Sequence, residues 1–324
     1  MHRLFKYSIV MMVIPGCATP PADHAQKLSA PAIQQNMAVE TPRPARNLPH
    51  VEILVSENLP AYTDVARELE KVLGQRASVQ TLGDNALKNQ GMVYSLKSAE
   101  NIQIISIGLD ASIAASKLSS KQLVFCQVFN YRDYDLVSPM HKGISILPSP
   151  YQVFRTWRHL SPGISDIGVI TGPGFEDEIR LASQAARQFQ ITLHHETVKS
   201  DKEYQFAFKK LGKKVQGYWL LPDNRVLSAA SLHEVMNYSI YNSKPTAVFS
   251  NELLKLGGLF SINSDPVEVA KLVNLRLEQA QEKDSIPGPE LIYADKVKLK
   301  INSVMVKNLG LKLPVHLRKF ANAP

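Results

Sequence analysis

The chain has 324 residues and a formal net charge of +8 at pH 7, with 44% hydrophobic and 20% charged residues. Beyond an N-terminal stretch, about 275 residues remain, which are too many for one small core and suit two lobes. The positive charge is scattered, and no aromatic residue is interleaved in the two lysine clusters at 209–214 and 296–300. This pattern argues against a nucleic-acid partner.

The first 17 residues predict a secretory signal. A basic start precedes an apolar run at 7–14, which is shorter than the ~20 residues that a membrane-spanning helix needs. The run ends at Ile14-Pro15-Gly16-Cys17, which resembles the lipobox of bacterial lipoproteins, although Pro15 stands where Ala or Ser is usual. The resemblance implies that Cys17 is lipidated and anchors the protein to a membrane. The alternative is the start of an ordinary buried helix, against which the basic flank argues.

Residues 18–48 predict a flexible tether between the signal and the folded body. The segment is rich in proline, alanine and glutamine and has little apolar periodicity. It cannot bury enough apolar surface to offset the entropy of ordering. Signal and tether together predict a protein of the periplasm or cell envelope, and Ala18 after the cysteine, instead of Asp, favours the outer membrane.

The two cysteines exclude an intrachain disulfide if Cys17 carries lipid, because only Cys126 is then left. Cys126 lies within the apolar run at 123–129, which predicts a buried and unreactive thiol.

Strand-like and helix-like segments alternate after residue 50, which favours the α/β class with parallel sheets flanked by helices. The strand at 102–108 is apolar on both faces, as expected of a central parallel strand. The first series contains predicted strands at 51–56, 77–82, 102–108, 122–129 and 144–147, and predicted helices at 63–73 and 110–117.

A second series of similar design follows the break at 148–150. Within it, Asp265-Pro266-Val267-Glu268 predicts a helix start, with a capping residue, Pro at the first helical position and Glu at the third. This series contains predicted helices at 151–160, 175–189, 228–242, 265–281 and 303–309, predicted strands at 166–171, 191–198, 215–221, 246–250 and 259–262, and a long extended run that ends at 301.

The chain lacks the spacings that enzymes use. The glycine turn at 172–174 is too short for a Walker loop, and no G-x-S-x-G elbow occurs. His194 and His195 are adjacent on a predicted strand, so they point to opposite faces and do not suit a shared metal. The sequence therefore predicts neither an enzyme nor a metal or cofactor site.

Short motifs follow several of the predicted strands. They are Leu299-Lys300-Ile301-Asn302 with Leu309-Gly310-Leu311 and Leu313-Pro314, Ile107-Gly108-Leu109-Asp110-Ala111, Leu160-Ser161-Pro162-Gly163 before Ile167-Gly168-Val169-Ile170, and Leu220-Leu221-Pro222-Asp223. In order and spacing they resemble the ABC-transporter substrate-binding proteins of the type I periplasmic fold, above all the branch with tryptophan- and tyrosine-type binding lipoproteins. The resemblance covers roughly residues 50 to 318.

The resemblance implies two lobes that face each other across a cleft, with three chain crossings between them. It predicts lobe one at 50–146 and 259–285, and lobe two at 147–258 and 286–318. Each lobe is expected to be a mainly parallel sheet flanked by helices.

The resemblance also implies a ligand at the edge where strands end and helices begin, since unpaired backbone N–H groups there bind polar groups. Tyr62 and Phe175, at helix starts, suit stacking on a flat ligand, and the family often places an aspartate at the position of Asp223. The alternative for each residue is a capping or turn role. The predicted ligand-binding residues are Ser56, Glu57, Tyr62, Gly108, Asp110, Gln127, Thr171, Phe175, Asp223 and Ser250.

The implied function is capture of a small polar molecule, an amino acid or a relative, for an ABC-type uptake system with a permease as partner. Two segments depart from the family pattern. Residues 143–146 are short and lack an Asn-x-Thr-Gly core, and the first strand-to-helix loop is abbreviated. Because these segments shape the pocket, the alternative is an envelope lipoprotein that acts as a sensor or assembly partner without serving transport.

Overall fold

The computed structural model describes residues 48–83, 86–281 and 283–324. The predicted signal at 1–17, its lipidation site Cys17 and residues 18–47 of the predicted tether lie outside the described residues. Among the residues described, no helix combines the length and the apolarity needed to cross a bilayer.

Strands and helices alternate along the body, as the sequence predicts. The strands are β1 (His50–Val55), β2 (Ala77–Thr81), β3 (Ile102–Ile107), β4 (Gln122–Cys126), β5 (His141–Ile144), β6 (Asp166–Thr171), β7 (Thr192–Thr197), β8 (Gly217–Trp219), β9 (Thr246–Val248), β10 (Phe260–Ser264), β11 (Leu291–Ile292), β12 (Val297–Asn302) and β13 (Ala321–Asn322). The helices are α1 (Pro60–Leu73), α2 (Ala86–Ser98), α3 (Leu109–Ser116), α4 (Pro150–Leu160), α5 (Glu176–Gln188), α6 (Asp201–Leu211), α7 (Ala229–Tyr241), α8 (Glu252–Lys255), α9 (Pro266–Ala280) and α10 (Ser303–Asn308).

The first sheet is parallel throughout and has the strand order β11-β5-β4-β3-β1-β2 within the described residues. Strand β1, next to the edge strand β2, is buried on both faces, because α1 and α9 cover one face and α2 and α3 the other. Each fully buried Val, Leu or Ile side chain in such a core stabilises the fold by about 1.5–3 kcal/mol.

The register of the first sheet aligns the ends of three strands. Val55 of β1 pairs with Ile107 of β3, and Ile107 pairs with Cys126 of β4. The residues that follow these three ends therefore emerge side by side at one edge of the sheet. Three of the predicted ligand-binding residues, Ser56, Gly108 and Gln127, are at these positions.

The second sheet has the order β13-β12-β10-β9-β8-β6-β7, and its strands are parallel except for the antiparallel pair β10 and β12. Helices α4 and α5 cover one face, around Trp157, and α6 and α7 cover the other, around Phe208. The predicted fold class, α/β with two mainly parallel sheets flanked by helices, is confirmed.

The strand pairing departs from the predicted lobe bounds at two places. The predicted bounds assign 259–285 to lobe one, but β10 pairs with β9 and β12 in the second sheet, and only α9 packs on the first, against α1. They assign 286–318 to lobe two, but β11 pairs with β5 in the first sheet. Both elements lie next to chain crossings, where a few residues of apolar sequence do not reveal which sheet a strand joins.

Helices α2, α6 and α8 were not predicted. Helix α2 has a glycine at position 91 and no clear apolar stripe, so its sequence carries little helical signal. Helix α6 does carry one: Tyr204, Ala207, Phe208 and Leu211 are buried at helical spacing, and Ser200 accepts a hydrogen bond from the Glu203 N–H at its start.

Candidate functional site

The first side of the candidate site is the edge where β1, β3 and β4 end. The Ser56 hydroxyl accepts a hydrogen bond from the Ala111 N–H in the first turn of α3, at 2.9 Å. Gly108 has a φ of 89°, and a Cβ there would lie 2.6 Å from Ser56 Oγ and 2.8 Å from Tyr62 Cε2. Gly108 thus lets the Tyr62 ring and the Ser56 hydroxyl approach the backbone closely.

Tyr62 lies near two acidic residues that the sequence also predicts for the site, Glu57 and Asp110. Burial is the main effect that raises the pKa of the half-buried Tyr62 phenol, and the negative charges of Glu57 and Asp110 raise it further. Glu57 and Asp110 are themselves exposed. The structure therefore brings an aromatic ring and two solvated carboxylates to this edge, which favours a group with positive charge.

Gln127, the residue after β4, adopts a left-handed backbone conformation with a φ of 59°. Side chains other than glycine rarely adopt this conformation, and residues that do so are concentrated at functional sites. The residue is half-buried and lies at the same sheet edge as Ser56 and Gly108. Its strain is consistent with the predicted contact to a ligand.

On the second sheet, Thr171 ends β6 and is fully buried. Its hydroxyl is 2.8 Å from Nε2 of His195 on β7, so the hydroxyl is already engaged within the sheet. Burial is also the main effect that lowers the pKa of His195. The other histidine of the pair, His194, contacts Asp166 Oδ1 at 2.7 Å, so the two imidazoles have different partners.

Phe175 connects the two sheets. It is 5% exposed, and its ring stacks on that of Phe129, with ring centroids 4.2 Å apart. Phe129 follows β4 of the first sheet, and Phe175 precedes α5 of the second. A buried aromatic pair of this kind contributes about 0.5–1.5 kcal/mol beyond the burial of its area.

Asp223 lies beneath the surface of the candidate site. Its side chain is 0% exposed. Oδ2 accepts hydrogen bonds from the Gly172 N–H and from Arg225 Nη2, both at 2.7 Å, and Oδ1 accepts one from Arg225 Nε at 2.8 Å. The carboxylate is therefore occupied by the protein itself, and the group that reaches the space between the sheets is the guanidinium of Arg225.

Arg225 was not among the predicted residues. Its Nη1 donates to Asp133 Oδ2 at 2.8 Å and to the Pro173 carbonyl at 3.1 Å, and its guanidinium carbon is 5.2 Å from the centroid of the Phe175 ring. The only signal for Arg225 in the sequence is its position, two residues after an aspartate that follows a strand. Asp133, across the gap, had no signal beyond its charge.

A second polar contact joins the two sides. Arg132 Nη1 donates to Glu178 Oε1 at 2.6 Å and to the Gly174 carbonyl at 3.3 Å. The Tyr131 hydroxyl also donates to Glu178 Oε1, at 2.9 Å. Burial is the main effect that raises the pKa of Tyr131, and the nearby Glu178 charge adds to it. The two sheets are thus connected by charged hydrogen bonds as well as by the aromatic stack.

Ser250 is half-buried and follows β9. Continuing the β6-β8-β9 register places it level with Gly172 at the edge of the second sheet. A separate groove of about 450 Å³ lies between α2 and α3 and includes Asp110 and Tyr94 in its lining. Within the described residues, no three His, Cys, Asp or Glu side chains are grouped closely enough to hold a metal ion.

Comparison with known protein families agrees with the resemblance seen in the sequence. The model of a family described as "ABC transporter substrate binding protein" matches residues 152–323. No curated protein matches the chain.

Solved structures show the same fold. An ABC domain in complex with L-Trp from Streptococcus pneumoniae has a TM-score of 0.58 and 17% identity, over 85% of this chain and 99% of that one. A ligand-free, open substrate-binding protein with adhesive properties from Clostridium difficile has a TM-score of 0.61 and 16% identity, over 85% and 99%. A conserved domain protein from Vibrio cholerae has a TM-score of 0.56 and 19% identity, over 84% and 98%.

Proposed function

The chain belongs to the family of ABC transporter substrate-binding proteins. We propose that it captures a small polar molecule, an amino acid or a related compound, between its two sheets. The observation that carries the proposal is the placement of opposed polar and aromatic groups at the facing strand ends. One side presents Tyr62 with the exposed Glu57 and Asp110, and the other presents Arg225 over Phe175.

The chemistry of the first side limits the class of ligand that would bind there. Two solvated carboxylates beside a half-buried phenol suit an ammonium group, which gains charge-assisted hydrogen bonds there. The ring of Tyr62 suits an apolar or flat remainder. Phe175 does not, contrary to the sequence-based prediction, because its ring is 5% exposed, stacks on Phe129 and lies under the Arg225 guanidinium. The relative from Streptococcus pneumoniae was solved with L-Trp, which has both features. Of the remaining predicted residues, Ser56, Gly108 and Gln127 line the first side, Thr171 and Asp223 support the second, and Ser250 completes its rim.

The proposed setting is the cell envelope. Proteins of this family typically act outside the cytoplasm, and an ABC permease is the partner that would receive the ligand. We propose further that residues 1–17 direct export, that a lipid on Cys17 anchors the protein, with the outer membrane favoured, and that residues 18–48 form the tether.

A thermal-shift screen of the mature chain against amino acids, nucleosides and sugars tests the proposal. A ligand that binds only the folded state stabilises it by about 2.7 kcal/mol at a hundred times its Kd, which raises the melting temperature. We expect at least one amino acid or related amine to do so. If no compound raises the melting temperature at millimolar concentration, the proposal is wrong.

A double variant then tests the site. Glu57→Gln with Asp110→Asn removes both carboxylates beside Tyr62, and we expect at least tenfold weaker binding of an amine ligand, since a hydrogen bond to a charged group contributes about 1.5–3 kcal/mol. Glu70→Gln is the matched control, because Glu70 is exposed near the far end of α1. Equal affinities of the double variant and the control would contradict the site.

A second candidate function is that of a sensor or assembly partner that serves no transporter. The observation in its favour is that the two sheets hold each other through Arg132 and Glu178, through Arg225 and Asp133, and through the stacked rings. An uptake assay with the radiolabelled ligand from the screen separates the two candidates. Deletion of the gene abolishes uptake if the protein serves a transporter and leaves it unchanged if it does not.

A further inference from the structure

The guanidinium of Arg225 has two hydrogen-bonding edges, and they are in different environments. The edge formed by Nε and Nη2 is paired bidentately with Asp223, whose side chain is fully buried. Such fork-to-fork pairing fixes the orientation of the guanidinium plane. Gly172 assists, because its N–H donates to the same carboxylate at 2.7 Å.

The end of the guanidinium, formed by Nη1 and Nη2, faces the other sheet. Nη1 donates to Asp133 Oδ2 at 2.8 Å, whereas the hydrogen bonds of Nη2 that the structure shows go to Asp223. The contact of Asp133 is thus monodentate. A carboxylate that lay in the plane of the guanidinium at this end would accept hydrogen bonds from both Nη1 and Nη2.

The environment of Asp133 makes this contact easy to break. Asp133 lies in the 3₁₀ turn at 131–134, and its side chain is 39% exposed. Asp135, the residue directly after this turn, has a left-handed φ of 50°. Ion pairs with this exposure contribute little to stability, because solvent screens them. The side chain of Arg225 is 20% exposed, so the guanidinium is accessible from the space between the sheets once Asp133 moves.

We infer that Arg225 binds the carboxylate of the ligand, and that Asp133 occupies this end of the guanidinium until the ligand displaces it. This inference rests on the proposed function and specifies its substrate class as compounds that carry a carboxylate. The exchange conserves charge at Arg225, because one carboxylate replaces another while Asp223 stays paired. The Phe175 ring under the guanidinium, 5.2 Å away, keeps it in place during the exchange.

The test compares each of the twenty L-amino acids with its C-terminal amide on the mature chain, by thermal shift and then by calorimetric titration of any compound that binds. We expect the acids to bind and the amides to bind at least tenfold more weakly. Arg225→Lys should weaken binding of the acids at least tenfold and change amide binding little, because Lys lacks the planar fork. Asp133→Asn should tighten binding of the acids severalfold, since it removes the competing carboxylate.

Asp295→Asn is the matched control, because Asp295 is exposed on the connection between β11 and β12. Equal affinities for acids and amides would overturn the inference and leave the proposed function intact. The inference would also be overturned if Asp133→Asn weakened the binding of every compound, because Asp133 would then stabilise the contact between the two sheets instead of competing with the ligand. If no compound binds the wild-type chain, the proposed function fails and the inference fails with it. If Arg225→Lys does not fold, the effect of Asp133→Asn on the binding of the acids serves as the test of the inference.

Discussion

At the scale of the residue, Asp223 shows how burial changes the role of a predicted side chain. The sequence predicted a ligand contact, and the structure places the carboxylate under Arg225, with three short hydrogen bonds from Arg225 and Gly172. A fully buried carboxylate needs such partners, because its desolvation is otherwise not offset. Asp223 therefore acts on the space between the sheets through the orientation that it imposes on Arg225.

The substitution Asp223→Asn keeps the shape of this side chain and removes its charge. We expect the free energy of unfolding to fall by about 3 kcal/mol, because breaking a buried pair leaves the remaining charge without its counter-ion. Urea denaturation measures the change. The exposed residue Asp295 supplies the control, for which Asp295→Asn should stay within about 0.5 kcal/mol of wild type. A loss as small as that of the control would show that the Asp223 pair contributes nothing.

At the scale of the element, short-range signals predicted the start of α9 correctly. Asp265 caps the helix by accepting a hydrogen bond from the Val267 N–H at 2.9 Å, and Pro266 is its first residue. Helix α9 then buries Val269, Val273 and Leu277 against the first sheet. The lysine cluster at 296–300 shows the alternation of a half-buried strand, since Lys298 and Lys300 are exposed on β12 and Leu299 between them is half-buried.

The cap of α9 can be tested by Asp265→Ala. We expect a loss of about 1 kcal/mol in the free energy of unfolding, because the first-turn N–H loses its acceptor. Chemical denaturation of the two proteins measures it. Asp284→Ala, in the exposed segment after α9, is the control and should leave the free energy of unfolding unchanged. Equal effects of the two substitutions on this free energy would argue against the cap.

At the scale of the whole molecule, a buried histidine on the first sheet and a half-buried one on the second couple the fold to pH. Burial is the main effect that lowers the pKa of His141 on β5 and of His195 on β7. For each, the folded state favours the neutral imidazole. Above the ordinary value of 6.5 both the folded and the unfolded states are neutral and nothing is lost. Below it the unfolded chain takes up protons first, so stability falls as the pH drops through the folded pKa.

We therefore expect the melting temperature to fall between about pH 7.5 and about pH 5.5. The fall should be smaller in His141→Gln, because this variant lacks the more deeply buried of the two imidazoles. His233→Gln, at an exposed position on α7, should keep the full pH dependence. Differential scanning calorimetry at the two pH values provides the comparison, and an identical fall in wild type and His141→Gln would remove His141 from the explanation.

The family was indicated by the resemblance of several short motifs. Local signals in the sequence predicted the α/β class, the positions of most strands and helices, and the edge of each sheet at which the candidate residues lie. These features depend on apolar periodicity, caps and turns, which act over a few neighbouring residues, and strand ends follow directly from them. Burial of Cys126 was predicted in the same way, from its apolar run, and the structure confirms it.

The sheet that receives β10 and β11, and the charges that meet between the sheets, depend on contacts between distant parts of the chain. The ion pair of Arg225 with Asp133 joins residues 92 positions apart, and that of Arg132 with Glu178 joins residues 46 apart. Such contacts depend on how two completed sheets pack against each other, which local sequence does not specify. For the same reason the sequence indicated Asp223, at the end of a strand, and missed Arg225, whose side chain reaches the other sheet.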